Sequence, residues 1–362
     1  MTKTVPAITG VAARAVVTPM KRPLRNAFGV IDNGPLVLID VATDQGVTGH
    51  SYLFAYAKLA LKPLVLLIEE IGRDLVGKPV APFDLMAAMD AKFRLVGWQG
   101  LVGMAVSGLD MAFWDALGQI AGKPVVELLG GSVRPIQAYD SYGVLDAAAD
   151  ERTLRTSRDE HGFRGIKTKG GHGDLAADEQ MIKGLRALLG PDVALMLDFN
   201  QSLDPAEATR RIERLAPYDL TWIEEPVPQE NLSGHAKVRE RSAIPIQAGE
   251  NWWFPRGFAE AIAAQASDFI MPDLMKVGGI TGWLNVAGQA DAASIPMSSH
   301  ILPEASAHVL PVTPTAHWLE VLDFAGAILA DPLEVTDGTV TARGLGLGLV
   351  WNETAVAKYQ VQ

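Results

Sequence analysis

The residues best suited to chemistry are charged side chains that close successive short apolar segments in the second half of the chain. In chain order they are Lys167 and Lys169, Asp198, Glu224, Glu250, Asp273, His300 and Glu320. From Asp198 onward they recur every 20 to 27 residues, and each ends a strand-like segment that precedes turn residues and a helix-forming stretch. Strands that alternate with helices predict parallel βα units, whose right-handed crossovers bring the carboxyl end of every strand to one rim. We therefore expect these charged groups to converge.

Three of these groups are carboxylates on consecutive strands, Asp198, Glu224 and Glu250. A single acid at such a position more often caps a helix or faces solvent, but three in register place anions side by side and require a cation. An all-oxygen set suits Mg2+, leaves about three octahedral positions open, and would also accept Mn2+. The sequence therefore predicts a divalent metal site.

Basic groups flank this predicted metal site. Lys167 and Lys169 lie two residues apart on a strand and point the same way, and we expect two ammonium groups beside a cation to depress a lysine pKa. On the other side, Asp273 would accept a hydrogen bond from one ring nitrogen of His300 and leave the other nitrogen free for proton transfer. Glu320, if burial keeps it protonated, would donate a hydrogen bond to a developing oxyanion.

Taken together, these groups predict abstraction of a proton next to a carboxylate. The metal and Lys167 would neutralise the substrate carboxylate, so that charge develops on oxygens that already face cations. Lys169 and His300 would remove a proton from one face of the substrate and return it on the other. This is the layout of a racemase.

Composition excludes several other classes of function. The formal net charge of −11 disfavours nucleic acid and anionic membranes as partners, and the absence of cysteine excludes disulfides, thiolate metal sites and a cysteine nucleophile. We expect no apolar run of membrane-spanning length, and the first residues lack the long apolar core of a secretory signal. We expect a cytoplasmic enzyme with a small-molecule carboxylate as its partner.

Residues 1–130 have a different pattern from the rest of the chain. Three strand-like segments precede helical stretches near 57–75, 82–94 and 101–121, which predicts an α+β unit. From Gln137 to Leu322 we count eight strand segments with helices between them, the number that closes a TIM-type barrel. We thus predict an α/β fold with an α+β capping domain (1–130), a barrel (131–324) and a C-terminal segment (325–362) that packs back on the cap.

The chain resembles the enolase superfamily, and within it the mandelate racemase subgroup, over essentially its whole length. The matching segments are PLVLID, GHSYLFAY, WDALG, QAYDSY, KTK, DFNQSLD, WIEEP, GENW, the PD-MK-GG run at 272–279, TGW, IPMSSH and TPTAHWLE. The resemblance implies a (β/α)7β barrel and the site roles given above, with Ser141 and Asn200 in the same polar shell. It also implies a homo-oligomer, of which an octamer is one form, and cap loops that select the substrate.

Those cap loops correspond to residues 21–32 and the neighbourhood of Tyr56. The first reads KRPLRNAFGVID, in which Leu24 and Phe28 are bulky and Asn26 offers polar contacts, unless it points to solvent. These residues leave open which carboxylate the site accepts. Lys276 lies near the sixth strand, and we expect it to support the site rather than to act as a base.

Three functions are compatible with the sequence. The first is a Mg2+-dependent racemase of an α-hydroxy carboxylate with an aromatic or apolar side group. The second is a sugar-acid dehydratase in which His300 protonates a departing β-hydroxyl, although apolar residues such as Leu24 and Ile31 disfavour a polyol. The third is a catalytically silent binding protein on the same barrel.

Overall fold

The fold is taken from a computed structural model, which describes residues 5–26, 29–171 and 173–361. The strands are β1 (Ile8–Asn26), β2 (Gly29–Thr43), β3 (Thr48–Phe54), β4 (Ile136–Ser141), β5 (Gly165–Lys169), β6 (Ala194–Asp198), β7 (Leu220–Glu224), β8 (Ile246–Ala248), β9 (Phe269–Ile270), β10 (Leu319–Val321), β11 (Val335–Thr336) and β12 (Thr339–Val340). The α-helices are α1 (Leu61–Leu75), α2 (Pro82–Phe93), α3 (Leu101–Ala121), α4 (Val125–Leu128), α5 (Glu151–Arg155), α6 (Leu175–Leu189), α7 (Pro205–Leu215), α8 (Leu232–Arg241), α9 (Phe254–Ala263), α10 (Gly279–Ala293), α11 (Pro303–Val309) and α12 (Glu353–Tyr359).

The cap begins with an antiparallel sheet in the order β1-β2-β3, against which α1 and α3 pack. Residues 34–39 of the central strand β2 are buried without interruption, so both faces of the sheet are covered there. Gly49 on β3 allows the closest approach to α3, because an added Cβ would lie 2.1 Å from the carbonyl oxygen of Ala112. The predicted meander and its three following helices are confirmed.

The barrel is formed by parallel strands β4 to β9, with β10 closing the ring against β4. The seventh predicted strand, IPMSSH, forms isolated bridges through Met297 and His300 instead of a regular strand. Its backbone is nevertheless hydrogen-bonded on both sides, since Ser298 N–H donates to Ile270 and Ser299 N–H donates to Trp318. The predicted eight-stranded α/β barrel is therefore confirmed, with an irregular seventh member.

The barrel interior contains large side chains from β4, β6 and β7 and from the residue before β10. Tyr139, Met196, Trp222 and Trp318 form one buried cluster, and the rings of Tyr139 and Trp222 meet edge to face at 5.5 Å. This packed floor prevents the charged groups above it from being reached by water from below, because cores at native density leave few voids. The open end of the barrel is its C-terminal rim.

The C-terminal segment contacts both parts of the molecule. Helix α12 packs on β1, and the Trp351 indole N–H donates to Asp40 of the cap at 2.7 Å. The hairpin β11–β12 instead pairs with barrel strand β4, through Val340 and Ile136. Our expectation that this segment packs only on the cap missed that pairing, because two-residue strands carry no detectable sequence period.

Helix α3 has the length and apolar composition of a membrane span, which our reading of the sequence had not recognised. It is buried within the fold, between the cap sheet, α1 and α10. Two buried acids interrupt its apolar surface. Asp110 accepts from the backbone N–H of Thr281 at 3.0 Å and from its hydroxyl at 2.5 Å, and so ties the cap to barrel helix α10. A core helix with such bonds serves as the cap–barrel junction.

The segment 21–32, which we predicted as a loop, is largely strand in the described residues. Leu24, Arg25 and Asn26 pair with Ile31, Val30 and Gly29, so β1 and β2 continue as a two-stranded ribbon. The register shifts between Pro19 and Leu24, which places residues 20–23 in a bulge. Pro23 and the mixed polar pattern concealed the pairing in the sequence.

Replacing Asp110 with alanine should lower the free energy of unfolding by about 2–4 kcal/mol, because both Thr281 donors lose their buried acceptor. In Asp110→Asn the amide oxygen can still accept a hydrogen bond from Thr281, but the side chain no longer ionises. Burial, opposed by the Thr281 bonds, raises the pKa of Asp110 to about 7. The folded state therefore retains a proton that the unfolded chain has released, and this stabilisation is lost as pH rises from about 4 through 7.

Thermal unfolding followed by circular dichroism at several pH values checks this prediction. The Tm of Asp110→Asn relative to the unmodified protein should rise between about pH 4 and pH 7, since the variant has no carboxyl to ionise there. A Tm difference that is independent of pH would contradict the assignment of the titration to Asp110.

Candidate active site

Three buried carboxylates meet at the C-terminal rim of the barrel. Asp198 and Glu224 end β6 and β7, and Glu250 lies two residues after β8. One oxygen from each lies within 4.8 Å of the others, and all three side chains are buried. The convergence predicted from the strand spacing is therefore present, and it has the dimensions of a metal site.

Polar neighbours fix the orientation of each carboxylate. The Asn200 side-chain amide donates to Asp198 at 2.8 Å, the Trp222 indole N–H donates to Glu224 at 3.0 Å, and the Asn251 amide reaches Glu250 at 3.2 Å. Such outer contacts hold the ligating oxygens in place and are typical of metal sites.

The electrostatics of this group favour a divalent cation. Burial, together with the charges of Asp198 and Glu250, raises the pKa of Glu224 to about 7 although Lys167 opposes the shift. Within the described residues, Oε2 of Glu250 is buried and accepts no aligned hydrogen bond. A hard cation held by three carboxylate oxygens would satisfy that atom and relieve the repulsion. The donor set fits Mg2+, and Mn2+ would accept it too.

The two lysines of β5 lie beside these acids. Lys167 Nζ contacts Glu224 at 2.6 Å and Glu320 at 2.8 Å, while Lys169 Nζ contacts Asp198 at 2.6 Å. Burial lowers each lysine pKa, but the adjacent carboxylates outweigh it, so the pKa of Lys169 is raised and that of Lys167 lies well above its ordinary value. The depressed lysine pKa that we expect beside a divalent cation stays a prediction, because the neighbouring carboxylates alone oppose burial here.

His300 and Asp273 form the predicted pair on the opposite side of the carboxylates. Nδ1 of His300 lies 2.8 Å from Asp273, and Nε2 points to Glu250 at 3.1 Å. Burial lowers the pKa of His300, but Glu250 and Asp273 outweigh it and raise the pKa above its ordinary value. The Tyr56 hydroxyl of the cap also donates to Asp273, at 3.2 Å. The dyad is therefore held from both domains.

Glu320 closes the ring between the two basic groups. Besides the Lys167 contact, it accepts from the Ile301 backbone N–H at 2.9 Å. Burial favours its neutral form, yet Lys167 and His300 lower the pKa of Glu320 to about 2. The ionised form of Glu320 is therefore favoured in this arrangement, so the protonation by burial on which its predicted hydrogen bond to an oxyanion depends is opposed by its lysine partner.

Two further polar groups face the same space. Ser141 ends β4 beside Lys167, and its buried hydroxyl has no hydrogen-bond partner among the described residues. The same holds for Oδ1 of Asn200. Sequence analysis missed Tyr139, whose buried hydroxyl also lacks a described partner and whose ring centre lies 5.3 Å from Lys167 Nζ. Its position two residues before Ser141, on the same face of β4, was the available signal.

A second network that sequence analysis missed supports the metal carboxylates from outside. Asn251 donates to both oxygens of Glu225, at 3.0 and 2.8 Å, and accepts from Lys276 Nζ at 2.7 Å. Lys276 Nζ also lies 4.5 Å from the centre of the Tyr56 ring. This geometry agrees with the supporting position that we expected for Lys276. The paired acids of WIEEP were the signal for Glu225.

The cap residues predicted to select the substrate have different surroundings. Leu24 is buried in the main core cluster, and the Asn26 side chain accepts from Gly29 N–H at 3.1 Å and so joins the ends of β1 and β2. Tyr56 stands at the mouth with 39% of its surface exposed. Phe28 lies outside the described residues. The structure thus brings Tyr56 to the reaction centre, and Asn26 to the ends of β1 and β2.

The assembled site has a clear chemical capacity. A basic group contacts each outer member of the carboxylate triad, Lys169 at Asp198 and His300 at Glu250. Their strands flank β6, β7 and the end of β8 from the two sides. Such a layout suits proton transfer on two faces of a carboxylate held at the centre.

Comparison with known proteins identifies the family. The model described as "Mandelate racemase / muconate lactonizing enzyme, N-terminal domain" matches residues 8–130, and the "Enolase C-terminal domain-like" model matches residues 149–355.

Solved structures and a curated relative resemble the whole chain. An enolase from Bradyrhizobium, crystallised with magnesium and mandelic acid, is 87% identical with a TM-score of 0.98, covering 99% of this chain and 100% of that one. A racemase from Streptomyces coelicolor A3(2) with bound magnesium is 28% identical with a TM-score of 0.91, covering 98% and 100%. The L-talarate/galactarate dehydratase of Salmonella typhimurium is 29% identical, over 97% of this chain and 87% of its own length.

Both family matches agree with the barrel, the cap and the buried carboxylate triad. Together they cover most of the sequence, in the order and at the places that the fold requires. The chain belongs to the mandelate racemase/muconate lactonizing enzyme group of the enolase superfamily.

Proposed function

We propose that this protein is a Mg2+-dependent racemase of a mandelate-like α-hydroxy carboxylate. The observation that carries the proposal is the pair of basic groups, Lys169 and His300, on opposite sides of one carboxylate triad. The bound mandelic acid of the 87% identical Bradyrhizobium structure supports the substrate class. A racemase needs both faces of the substrate to be served, and this layout serves both.

Binding of the substrate would use groups that the site already presents. Asp198, Glu224 and Glu250 would hold Mg2+, which when bound supplies positive charge to the substrate oxygens. Lys167 would face the substrate carboxylate, and the unpartnered hydroxyl of Ser141 would donate to it. Asn200 would contribute from the same polar shell. Each of these groups would favour the charge that develops on the carboxylate oxygens.

Proton transfer would then run between the two faces. Neutral Lys169 takes the α-proton from one face, and protonated His300 delivers a proton to the other; the reverse direction exchanges these roles. A cation at Asp198 offsets the charge that raises the pKa of Lys169 in the present arrangement. Asp273 keeps Nδ1 of His300 occupied, so that Nε2 is the nitrogen that transfers the proton.

Glu320 would act on the oxygen that gains charge. In this structure Lys167 holds it ionised, with an Nζ–Oε1 distance of 2.8 Å. A substrate carboxylate would compete for Lys167, and burial would then favour a protonated Glu320 that donates a hydrogen bond. The predicted role of Glu320 as a hydrogen-bond donor to the developing oxyanion thus depends on substrate binding.

The nearest rival function is dehydration of a sugar acid. It uses the same groups, with His300 protonating a departing β-hydroxyl, and the Salmonella dehydratase is 29% identical. Mandelate carries no β-hydroxyl and cannot follow that route. A silent binding protein is disfavoured because every charged group of the predicted set is present.

Assembly and location remain predictions. The family resemblance implies a homo-oligomer, of which an octamer is one form, and a cytoplasmic location is the default expectation. The small-molecule carboxylate is the partner for which the site is built.

Incubation with Mg2+ in D2O, separately with each enantiomer of mandelate, tests the proposed function. Both enantiomers should exchange the α-proton for deuterium, because a base faces each side, and optical rotation should decay to zero. Proton NMR and polarimetry measure the two effects in one sample.

A panel of aldaric and aldonic acids serves as the comparison. Formation of 2-keto products from these acids, with no exchange into mandelate, would contradict the racemase and establish the dehydratase. Absence of both reactions would favour the binding protein.

Removal of the metal should reduce the rate of α-proton exchange by about a thousandfold or more. A bound metal lowers the reaction barrier by several kcal/mol, and each ~1.4 kcal/mol changes the rate tenfold. Readdition of Mg2+ or Mn2+ should restore the rate, whereas Asp198→Asn should not respond to either. The assay is α-proton exchange after dialysis against a chelator, with metal content determined by atomic emission. Undiminished exchange in verified metal-free protein would rule out the metal assignment.

A further inference from the structure

The cap hairpin extends well beyond the sheet that supports it. Among the described residues, strand β3 pairs with Leu36–Ala42 of β2, whereas β1 and β2 remain paired out to Asn26 and Gly29. We call the paired residues 24–26 and 29–31 the distal ribbon. A two-stranded ribbon is marginally stable alone, and the bulge at 20–23 separates it from the sheet. Its position must therefore depend on contacts with the barrel.

One such contact is a forked ion pair at the base of the distal ribbon. Arg22 donates from Nη2 to Oδ1 of Asp140 at 2.7 Å and from Nη1 to Oδ2 at 3.2 Å. Its guanidinium carbon lies 4.0 Å from the centre of the Tyr142 ring. Planar, bidentate pairing of this kind gives a single geometry, which a lysine cannot reproduce.

The acceptor is held ready on the barrel side. The Asp140 side chain is only 5% exposed, while that of Arg22 is 42% exposed. The Tyr142 hydroxyl donates to Asp140 at 2.5 Å and the Ser157 hydroxyl at 2.7 Å. The orientation of the Asp140 carboxylate is therefore fixed by barrel residues alone. The partly exposed Arg22 is the side of the ion pair that can detach.

A second contact connects the ribbon to the loop that follows β4. The carbonyl of Arg25 accepts from Val144 N–H at 2.8 Å. Gly143 makes this approach possible, because an added Cβ would lie 2.4 Å from the Arg25 nitrogen. The carbonyl of Gly143 in turn accepts from the backbone N–H of Lys169 at 3.3 Å. The distal ribbon thus rests on the loop that is bonded to a proposed base.

We propose that Arg22 is a positioning residue that latches the distal ribbon against the barrel rim and thereby retains the substrate. The inference rests on the proposed function for its kinetic consequence, and on the geometry of Arg22, Asp140 and Val144 for the latch itself. Arg22 touches no proposed catalytic group. Its loss should therefore affect substrate retention and leave proton transfer intact.

Steady-state racemisation by Arg22→Met provides the first test. KM for mandelate should rise about three- to tenfold with kcat changed less than about twofold, since one charge-assisted fork is lost at a partly exposed position. Lys21→Met is the matched control: Lys21 is the adjacent residue, and its ion pair with Asp323 is exposed, at 3.2 Å. KM and kcat of Lys21→Met should both equal those of the unmodified protein. The KM of Arg22→Lys for mandelate should lie between those of the unmodified protein and Arg22→Met.

Limited trypsin digestion provides a readout that needs no turnover. The Arg25–Asn26 bond lies in the distal ribbon, while the Arg22–Pro23 bond resists trypsin because proline follows it. Cleavage after Arg25, followed by mass spectrometry, should be about tenfold faster in Arg22→Met than in the unmodified protein, which has the same trypsin site after Lys21. Mandelate with Mg2+ should slow this cleavage in the unmodified protein.

The outcomes separate the latch from the proposed function. Unchanged KM together with unchanged cleavage after Arg25 in Arg22→Met would overturn the latch, and so would a fall in kcat at constant KM. If the unmodified protein does not turn over mandelate, the proposed function fails, while the cleavage rates without substrate still decide whether Arg22 holds the ribbon. Should Arg22→Met misfold, Arg22→Lys carries both measurements.

Discussion

The mutual repulsion of three buried carboxylates is the constraint on which the rest of the site depends. Asp198, Glu224 and Glu250 converge because parallel strands end at one rim, and neighbouring positive charge is required to keep them there. Lys167 and Lys169 provide it in this structure, each at 2.6 Å from a carboxylate. A divalent cation would take over that neutralisation and release the lysines for substrate and proton. The same anions therefore explain both the resting ion pairs and the proposed chemistry.

Much of this arrangement could be predicted from the sequence, because a strand-plus-helix period determines the rim on which a residue ends. Asp198 and His300 were placed correctly for that reason, although the strand carrying His300 is irregular. Ionisation could not be predicted in the same way. The pKa of Lys169 depends on which charged group lies nearest to it. The two-residue spacing of Lys167 and Lys169 in the sequence does not predict that Asp198 lies 2.6 Å from Lys169 Nζ. Distances across the barrel exist only after folding.

The cap shows a second limit of sequence patterns. The segment 21–32 contains proline, glycine and mixed charges, which predicts a loop, yet its described residues 24–26 and 29–31 pair locally as strands. Arg22 and Asp140 are 118 residues apart, and neither carries a local signal of the other. Buried Asp110 likewise joins two parts of the chain from within an apolar helix. Contacts between cap and barrel thus depend on tertiary geometry, while the barrel itself follows from repeated local patterns.

The central claim is that two bases serve opposite faces of one substrate, and single-base variants test it most directly. With Mg2+ in D2O, Lys169→Ala should exchange the α-proton of one mandelate enantiomer only, and His300→Asn that of the other only, with racemisation lost in both. Proton NMR on each enantiomer gives the result, with Mg2+ binding and circular dichroism confirming intact sites. Exchange of the α-proton of both enantiomers at equal rates by either variant would contradict the assignment of one base to each face.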